Sequence, residues 1–291
     1  MSKSRIQYSR TLLAIGLVAT FVNGAQAAPA METNPALTAD TTAASRAPAA
    51  EPAHRWSFYW GWNRSSYSNS DIHFTGVDHD FTLSQVKAHD TQTSINLDNV
   101  IHTFLNPLRI TIPQTNARLA YQYDKDTAFA LNLDHMKYVM TSYQVTPIDG
   151  TINGVVQSGN QNISPEFLKY EHTDGLNILS LEAEKQLPVD LFGPAVPTRL
   201  FGLTGLGVVV PKSNVTLGFA NQPRNDQFHI AGYSAHVGLG IEADLSSRFF
   251  VRTAGKFGYV NLPDVWTSAR HDKASQKFNY SELILAAGVR F

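Results

Sequence analysis

Residues 278–291 read FNYSELILAAGVRF, and their side chains alternate between apolar and polar along the chain. One face carries apolar side chains, at Leu283, Leu285, Ala287, Val289 and Phe291. The opposite face carries Tyr280, Glu282, Gly288 and Arg290. Strict alternation with a period of two predicts a β-strand with one apolar and one polar side. Such a strand needs a core or lipid against its apolar side, because an exposed apolar edge strand promotes aggregation.

The composition of the 291-residue chain narrows the class of protein. A formal net charge of −1 argues against nucleic acid as a partner, since that would call for a basic patch. The chain has no cysteine, which excludes disulfide bonds and thiolate metal ligands. Charged residues make up only 16% and aromatic residues 11%, as is typical where aromatic girdles mark membrane interfaces. Beyond the N-terminus no run approaches the roughly 20 apolar residues of a spanning helix, so a membrane-spanning form would use strands.

The chain is predicted to divide into three parts. Residues 1–27 have the features of a secretory signal peptide: a basic start, an apolar segment and a small-residue cleavage pattern. Residues 28–53 are rich in Ala, Pro and Thr without periodicity, which predicts a disordered linker. Residues 54–291 are predicted to form a single β-barrel.

Eight predicted strands carry the barrel prediction. The first begins at Trp56, the last is residues 278–291, and the others lie near 117–124, 127–134, 167–187, 198–210, 233–242 and 249–259. Short connections at 124–126, 188–197 and 244–248 alternate with long ones at 65–115, 142–166, 211–227 and 260–277. This alternation is typical of outer-membrane barrels with short periplasmic turns and long extracellular loops, and closure removes unpaired edges. A periplasmic β-sandwich would also alternate, but aromatic residues at the ends of the apolar faces favour the barrel.

The first long connection is predicted to carry structure of its own, because it is too long for a passive turn. Residues 72–74 and 81–88 are compatible with a short hairpin across Gly76. Residues 97–105 have helical spacing of apolar side chains, and Pro107 would end that helix.

Three strings add a resemblance to this pattern: WGWNR at 60–64, DHMKY at 134–138 and EHTDG at 171–175. They are similar to strings in a group of bacterial outer-membrane barrels without an established activity. Over residues 56–291 the chain resembles the small eight-stranded outer-membrane barrels, such as the transmembrane domain of outer-membrane protein A. The resemblance implies an all-β fold, an eight-stranded antiparallel transmembrane β-barrel with long extracellular loops. It also implies location in the outer membrane of a Gram-negative bacterium.

The same resemblance implies partners and an assembly signal. The partners are outer-membrane lipid and lipopolysaccharide, the barrel assembly machinery and an extracellular ligand at the loops, with no nucleic acid. Phe291 is the aromatic residue that the assembly machinery would read. No cofactor is expected.

The polar faces of the strands predict a packed lumen. They carry charges of both signs, at Arg118, Glu182, Glu184, Glu242, Arg252, Lys256 and Glu282. Eight strands leave an interior just wide enough for side chains, so opposite charges would pair there and close it. The favoured function is a non-enzymatic outer-membrane barrel with a structural role or one of surface interaction.

Histidine and acidic residues recur together in the chain and suggest two further kinds of site. His73, His79 and His89 are candidate metal ligands, since imidazole suits zinc or copper, although their spacing matches no known ligand motif. His172 and Asp174, with Asp134 on the next strand, are candidate catalytic residues. They would serve a lipid A-modifying hydrolase or acyltransferase at the extracellular barrel mouth. Polar loops and a hydrogen-bonded upper lumen explain both sets more simply.

Overall fold

The computed structural model describes residues 54–91, 93–106, 114–220, 222–225 and 227–291. The predicted signal peptide and linker, residues 1–27 and 28–53, lie outside these ranges. The strands of the described residues are β1 (Trp56–Tyr67), β2 (Ser70–Thr75), β3 (His79–Val86), β4 (Ala88–His89), β5 (Thr115–Gln122), β6 (Thr127–Met140), β7 (Gln144–Ile152), β8 (Val155–Ile163), β9 (Leu168–Val189), β10 (Thr198–Pro211), β11 (Asn214–Leu217), β12 (Gly232–Asp244), β13 (Phe249–Trp266) and β14 (Lys273–Arg290).

A closed ring of eight antiparallel strands forms the body of the molecule. The strands follow one another in the order β1, β5, β6, β9, β10, β12, β13 and β14, and β14 pairs with β1. At the seam the Trp56 amide donates to the Phe291 carbonyl at 3.0 Å, and the Phe291 amide donates to the Trp56 carbonyl at 2.8 Å. The predicted eight-stranded antiparallel barrel is therefore confirmed.

The ring turns its apolar side chains outward. In β6 the side chains of Phe129 and Leu131 are about half exposed, whereas Asn132, the next residue after Leu131, is fully buried. In β14 Leu283 is 61% exposed and its neighbour Glu282 only 3%. Apolar groups outside and polar groups inside are the arrangement of a barrel that faces lipid. This arrangement excludes the β-sandwich, whose apolar faces would meet in its core.

The two ends of the ring differ. The short-turn end carries the connections of residues 123–126, 190–197 and 245–248, close to the predicted positions. At the opposite, long-loop end the wall continues upward as additional strands. There, beyond the end of β1, β14 pairs with β2 instead. The sheet then continues in the order β2, β3, β7 and β8, each strand pairing with the next. The hairpin predicted across Gly76 is confirmed as β2 and β3.

An apolar core fills the interior at the long-loop end. Its largest fully buried side chains belong to Tyr138, Tyr170, Tyr280, Phe74 and Phe81. The sequence predicts a polar loop over residues 260–277. The loop is much shorter than that, because β13 and β14 extend into this core and leave only residues 267–272 between them. Leu262, Val265 and Ala274 point into this core and are at most 1% exposed. Their polar neighbours face outward, which gave the segment the composition of a loop.

A short helical segment lies on the outside of the ring. It consists of α1 (Leu97–Asn99) and a π-helical turn (Val100–Phe104), within the predicted range of 97–105. The Asn96 side chain accepts a hydrogen bond from the Asn99 amide at 2.8 Å and caps the segment. The Phe104 ring meets the Trp62 ring of β1 edge-on at 6.0 Å between centroids. Among the described residues no helix is long and apolar enough to cross a membrane.

Closure of the ring gives a first prediction, at Gly61 of β1. A Cβ atom there would overlap the Leu285 carbonyl and the Ala286 side chain of β14, whereas a Cβ at Gly255 of β13 would meet nothing within 4 Å. Overpacking of this kind costs about 1–3 kcal/mol. We expect Gly61→Val to lower the fraction of folded, heat-modifiable protein on a denaturing gel, and Gly255→Val to leave it unchanged. Equal folded fractions in the two variants would show that the seam is not the tight contact described.

Candidate functional site

The lumen brings together the seven charged side chains that the sequence places there. They are all at most 5% exposed: Arg118, Glu182, Glu184, Glu242, Arg252, Lys256 and Glu282. They point inward because side chains alternate along each strand, so that every second residue faces the lumen. The ring thus encloses a buried salt-bridge network.

Lys256 lies in the middle of the barrel wall and joins two acidic residues across the lumen. Its Nζ is 3.0 Å from Asp134 Oδ2 and 2.8 Å from Glu182 Oε1. The His236 ring contributes a further contact to Glu182, with Nε2 3.0 Å from Oε1. Asp134, proposed from the sequence as a catalytic candidate, is therefore a member of the luminal network.

The network continues toward the short-turn end with alternating sign. Arg118 donates from Nε to Glu182 at 2.8 Å, and its Nη2 lies 3.0 Å from Glu184. Arg252 pairs with Glu184 as well and reaches Glu242 with Nη1 at 3.2 Å. A chain of charges thus runs from Asp134 to Glu242 and crosses the lumen, because its members come from β5, β6, β9, β12 and β13.

Aromatic and cationic side chains complete the lumen at the short-turn end. The Arg252 guanidinium lies 3.4 Å from the centroid of the Phe201 ring, a cation–π contact. Arg199 donates to Glu242 at 3.2 Å, and Arg290 pairs with Glu242 and, at 2.8 Å, with Asp244. Sequence analysis missed Arg199 and Phe201, since the glycines of β10 obscure its two faces.

The polar lumen is sealed toward the long-loop end. Asp134 lies opposite Ile178 in the β6–β9 register, and Met136 lies opposite Leu176 one step higher. Met136, Leu176 and Ile178 are completely buried and belong to the apolar core above the charges. With water excluded, each charge depends on its partner, because an unpaired buried charge is strongly unfavourable. Glu282, opposite Lys256 in the β13–β14 register, is the exception. Neither of its carboxylate oxygens has a hydrogen-bond partner among the described residues, so Glu282 is enclosed with the network but makes no ion pair that joins it.

The catalytic candidates from the sequence occupy three separate environments. His172 is completely buried, and its Nδ1 lies 2.9 Å from Ser213 Oγ. Asp174 is half exposed and pairs with Lys212 Nζ at 3.1 Å. Asp134 lies opposite Ile178 and His172 lies opposite Tyr138, so the two candidates are four residues apart along β6, about 13 Å. Ser213 follows His172 by 41 residues, a separation that no sequence motif would single out.

The three candidate metal ligands are also apart from one another. His73 Nε2 lies 2.8 Å from Asp80 Oδ1 on the exposed β2–β3 hairpin, and His89 Nδ1 lies 3.3 Å from Thr141 Oγ1. His79 is 3% exposed and packs against the Phe219 ring at 5.4 Å between centroids. In the part of the chain that the structure describes, no group of three His, Asp or Glu side chains is arranged to hold a metal ion.

The ring, its apolar exterior and its charged interior define the chain as a barrel of the outer-membrane type. No family model matches the sequence, and no curated protein matches it. Among solved structures it is similar to Neisserial surface protein A, with 11% identity and a TM-score of 0.35 over 80% of this chain and 97% of that one. OprG from Pseudomonas aeruginosa is 11% identical, with a TM-score of 0.34 over 82% of this chain and 97% of that one. The outer membrane protease OmpT from Escherichia coli is 8% identical, with a TM-score of 0.37 over 82% of this chain and 97% of that one. The assignment of the fold rests on the closed register of this chain itself.

The stability of the luminal network can be tested at Lys256. Replacement by methionine keeps most of the length of the side chain but leaves Asp134 and Glu182 without this cation, and breaking a buried pair costs about 3–5 kcal/mol. The matched change Lys277→Met, at an exposed position of β14, is expected to cost less than about 0.5 kcal/mol. Urea unfolding of both variants in detergent measures the difference. Equal stabilities would mean that water reaches the lumen and solvates its charges.

His79 gives a pH-dependent prediction outside the barrel body. Burial lowers the pKa of His79 below 6.5, although nearby Asp272 partly offsets this effect. The unfolded chain therefore binds a proton more readily than the folded one, and stability is lost as the pH falls below about 6.5. We expect His79→Phe to reduce the loss of urea stability between pH 7.5 and 5.5, and His89→Phe, at an exposed position, to leave it unchanged. Identical pH profiles for the wild type and His79→Phe would contradict this prediction.

Proposed function

We propose that the chain is an outer-membrane protein of a Gram-negative bacterium whose closed barrel has a structural role or interacts through its surface. Residues 1–27 are its signal peptide, and the short-turn end faces the periplasm. The observation that carries the proposal is the continuous chain of ion pairs from Asp134 to Glu242 across the lumen, beneath an apolar core. A barrel built to conduct ions would instead keep its lumen charges in water.

The exterior supports lipid as the surrounding medium. Side chains such as Leu181, Leu206 and Leu239 are more than 70% exposed on the ring, and in water they would form an unfavourable apolar surface. Outer-membrane lipid and lipopolysaccharide would cover them. Phe291, 59% exposed at the β1–β14 seam, is the residue we assign as the signal for the barrel assembly machinery.

The long-loop end supports a role in surface interaction. The extended sheet ends at β8, whose only neighbour among the described strands is β7. Val155 and Val156 of β8 and Val145 of β7 are each more than 60% exposed. An unpaired strand edge with exposed apolar side chains is a template for adding a strand from a partner. An extracellular protein ligand would bind there.

The lipid-modifying alternative has weaker support. A hydrolase or acyltransferase needs a nucleophile and a base that the substrate can reach. The His172–Ser213 pair has the right chemical groups, but His172 is completely buried and Ser213 only 4% exposed. The closed barrel without enzymatic activity is therefore the function that the geometry favours.

Conductance tests the proposal. Wild-type protein reconstituted into planar lipid bilayers is expected to give no single-channel steps above the background of protein-free bilayers, because the lumen is filled by buried charged side chains and capped by apolar ones. A wide outer-membrane porin inserted by the same procedure serves as the positive control. Reproducible steps from the folded, heat-modifiable protein would overturn the closed-barrel proposal.

A further inference from the structure

A pocket of about 390 Å³ lies on the outside of the barrel, between the β1–β14 seam and the helical segment of residues 97–104. Trp62, Leu283 and Leu285 form its barrel side. Val100 and Phe104 of the helical segment form the opposite side. Its volume is within the range of about 300–1,000 Å³ that small-molecule sites occupy, and most of its lining is apolar.

The pocket lies at the level where the hydrocarbon layer of the membrane meets the headgroups of the outer leaflet. Arg64, which lines it, lies eight residues beyond Trp56 along β1, and a tilted strand crosses the hydrocarbon layer in about 9–11 residues. Because the short-turn end faces the periplasm in the proposed function, Arg64 is on the side of the outer leaflet.

The helical segment has the surface of a helix that lies in a membrane interface. Leu97, Ile101 and Leu105 are each more than half exposed, and Leu105 also lines the pocket. Asp98 and His102 are exposed polar residues of the same segment. A short helix with such an apolar side rests in the boundary between headgroups and acyl chains, so the pocket opens toward lipid.

One end of the pocket carries an incompletely paired cation. Arg64 donates from Nη2 to the Thr93 carbonyl at 3.2 Å. Its Nη1 atom is buried and has no hydrogen-bond partner among the described residues. Gln114 and Asn63 also line the pocket, but their side-chain amides donate to Asp90 and to the Thr115 carbonyl, so Arg64 supplies the available cation. A guanidinium group with free donors fits a phosphate group.

We propose that this pocket binds lipid A, with one acyl chain between the helical segment and the β1–β14 seam and a phosphate group at Arg64. The inference rests on the proposed placement of the barrel in the outer membrane. An apolar slot beside an incompletely paired cation matches a phosphorylated acyl lipid, and the position of Arg64 at the outer leaflet selects lipid A over phospholipid.

Native mass spectrometry of the folded protein in detergent tests the site with three probes. They are purified bis-phosphorylated lipid A, the same lipid A without phosphates, and phosphatidylglycerol. The variants are Arg64→Gln, which removes the charge, and Val100→Trp, which fills the pocket. Lys125→Gln in a short turn and Val156→Trp on exposed β8 are the matched controls. Heat-modifiable migration on a denaturing gel verifies that each variant is folded.

We expect the wild type and both controls to bind one bis-phosphorylated lipid A more tightly than phosphatidylglycerol. Arg64→Gln should weaken that binding about tenfold, the effect of losing one charged hydrogen-bonding partner, and leave binding of the phosphate-free form unchanged. Val100→Trp should weaken both. Equal binding of lipid A by wild type and Arg64→Gln, or equally tight binding of phosphatidylglycerol, would overturn the proposal. Should Val100→Trp not fold, the phosphate dependence of Arg64→Gln decides alone.

Membrane fractionation separates a failure of this site from a failure of the proposed function. Wild-type protein that fractionates with the outer membrane but binds lipid A no better than Arg64→Gln would overturn the lipid site alone. Protein found outside the outer-membrane fraction would overturn the proposed function itself.

Discussion

The antiparallel pairing of β14 with β1 is the interaction on which the rest of the structure depends. It closes the sheet, so that every strand of the ring has two neighbours and no edge is left unpaired toward lipid. Once the ring is closed, the alternation along each strand becomes a division between outside and inside. Leu283 and Leu285 of β14 are then on the exterior, and Glu282 is enclosed. The environment of each side chain thus follows from closure.

The small size of the ring accounts for the salt-bridge network. Eight strands leave too little room for water around side chains as long as Arg118 and Lys256, so these cations need acidic partners within the lumen. Glu182 accepts contacts from Arg118, Lys256 and His236, which come from three other strands. Buried ion pairs contribute little net stability, but each is costly to break. We interpret the network as a means of fixing the relative positions of the strands.

The interior of the long-loop end is apolar instead of charged, because there the strands extend beyond the ring and enclose apolar side chains. Phe74 and Phe81 stack at 5.1 Å between ring centroids, and Tyr138 and Tyr170 complete a core resembling that of a soluble protein. This core closes the lumen from above and supports the β7–β8 hairpin. One barrel wall thus changes from enclosing charged side chains in the ring to enclosing apolar ones at the long-loop end. The helical segment and its pocket lie beside that transition.

The sequence by itself determined the eight ring strands, the positions of their ends at the short turns, and the side to which most of their residues point. These are local properties, since a period of two is visible within a single strand. Only the tertiary structure decided which residues meet. Lys256 contacts Asp134 across 122 residues of chain, and His172 contacts Ser213 instead of Asp174. Register and closure set those contacts, and both arise from pairing between distant strands whose relative offset no local pattern records.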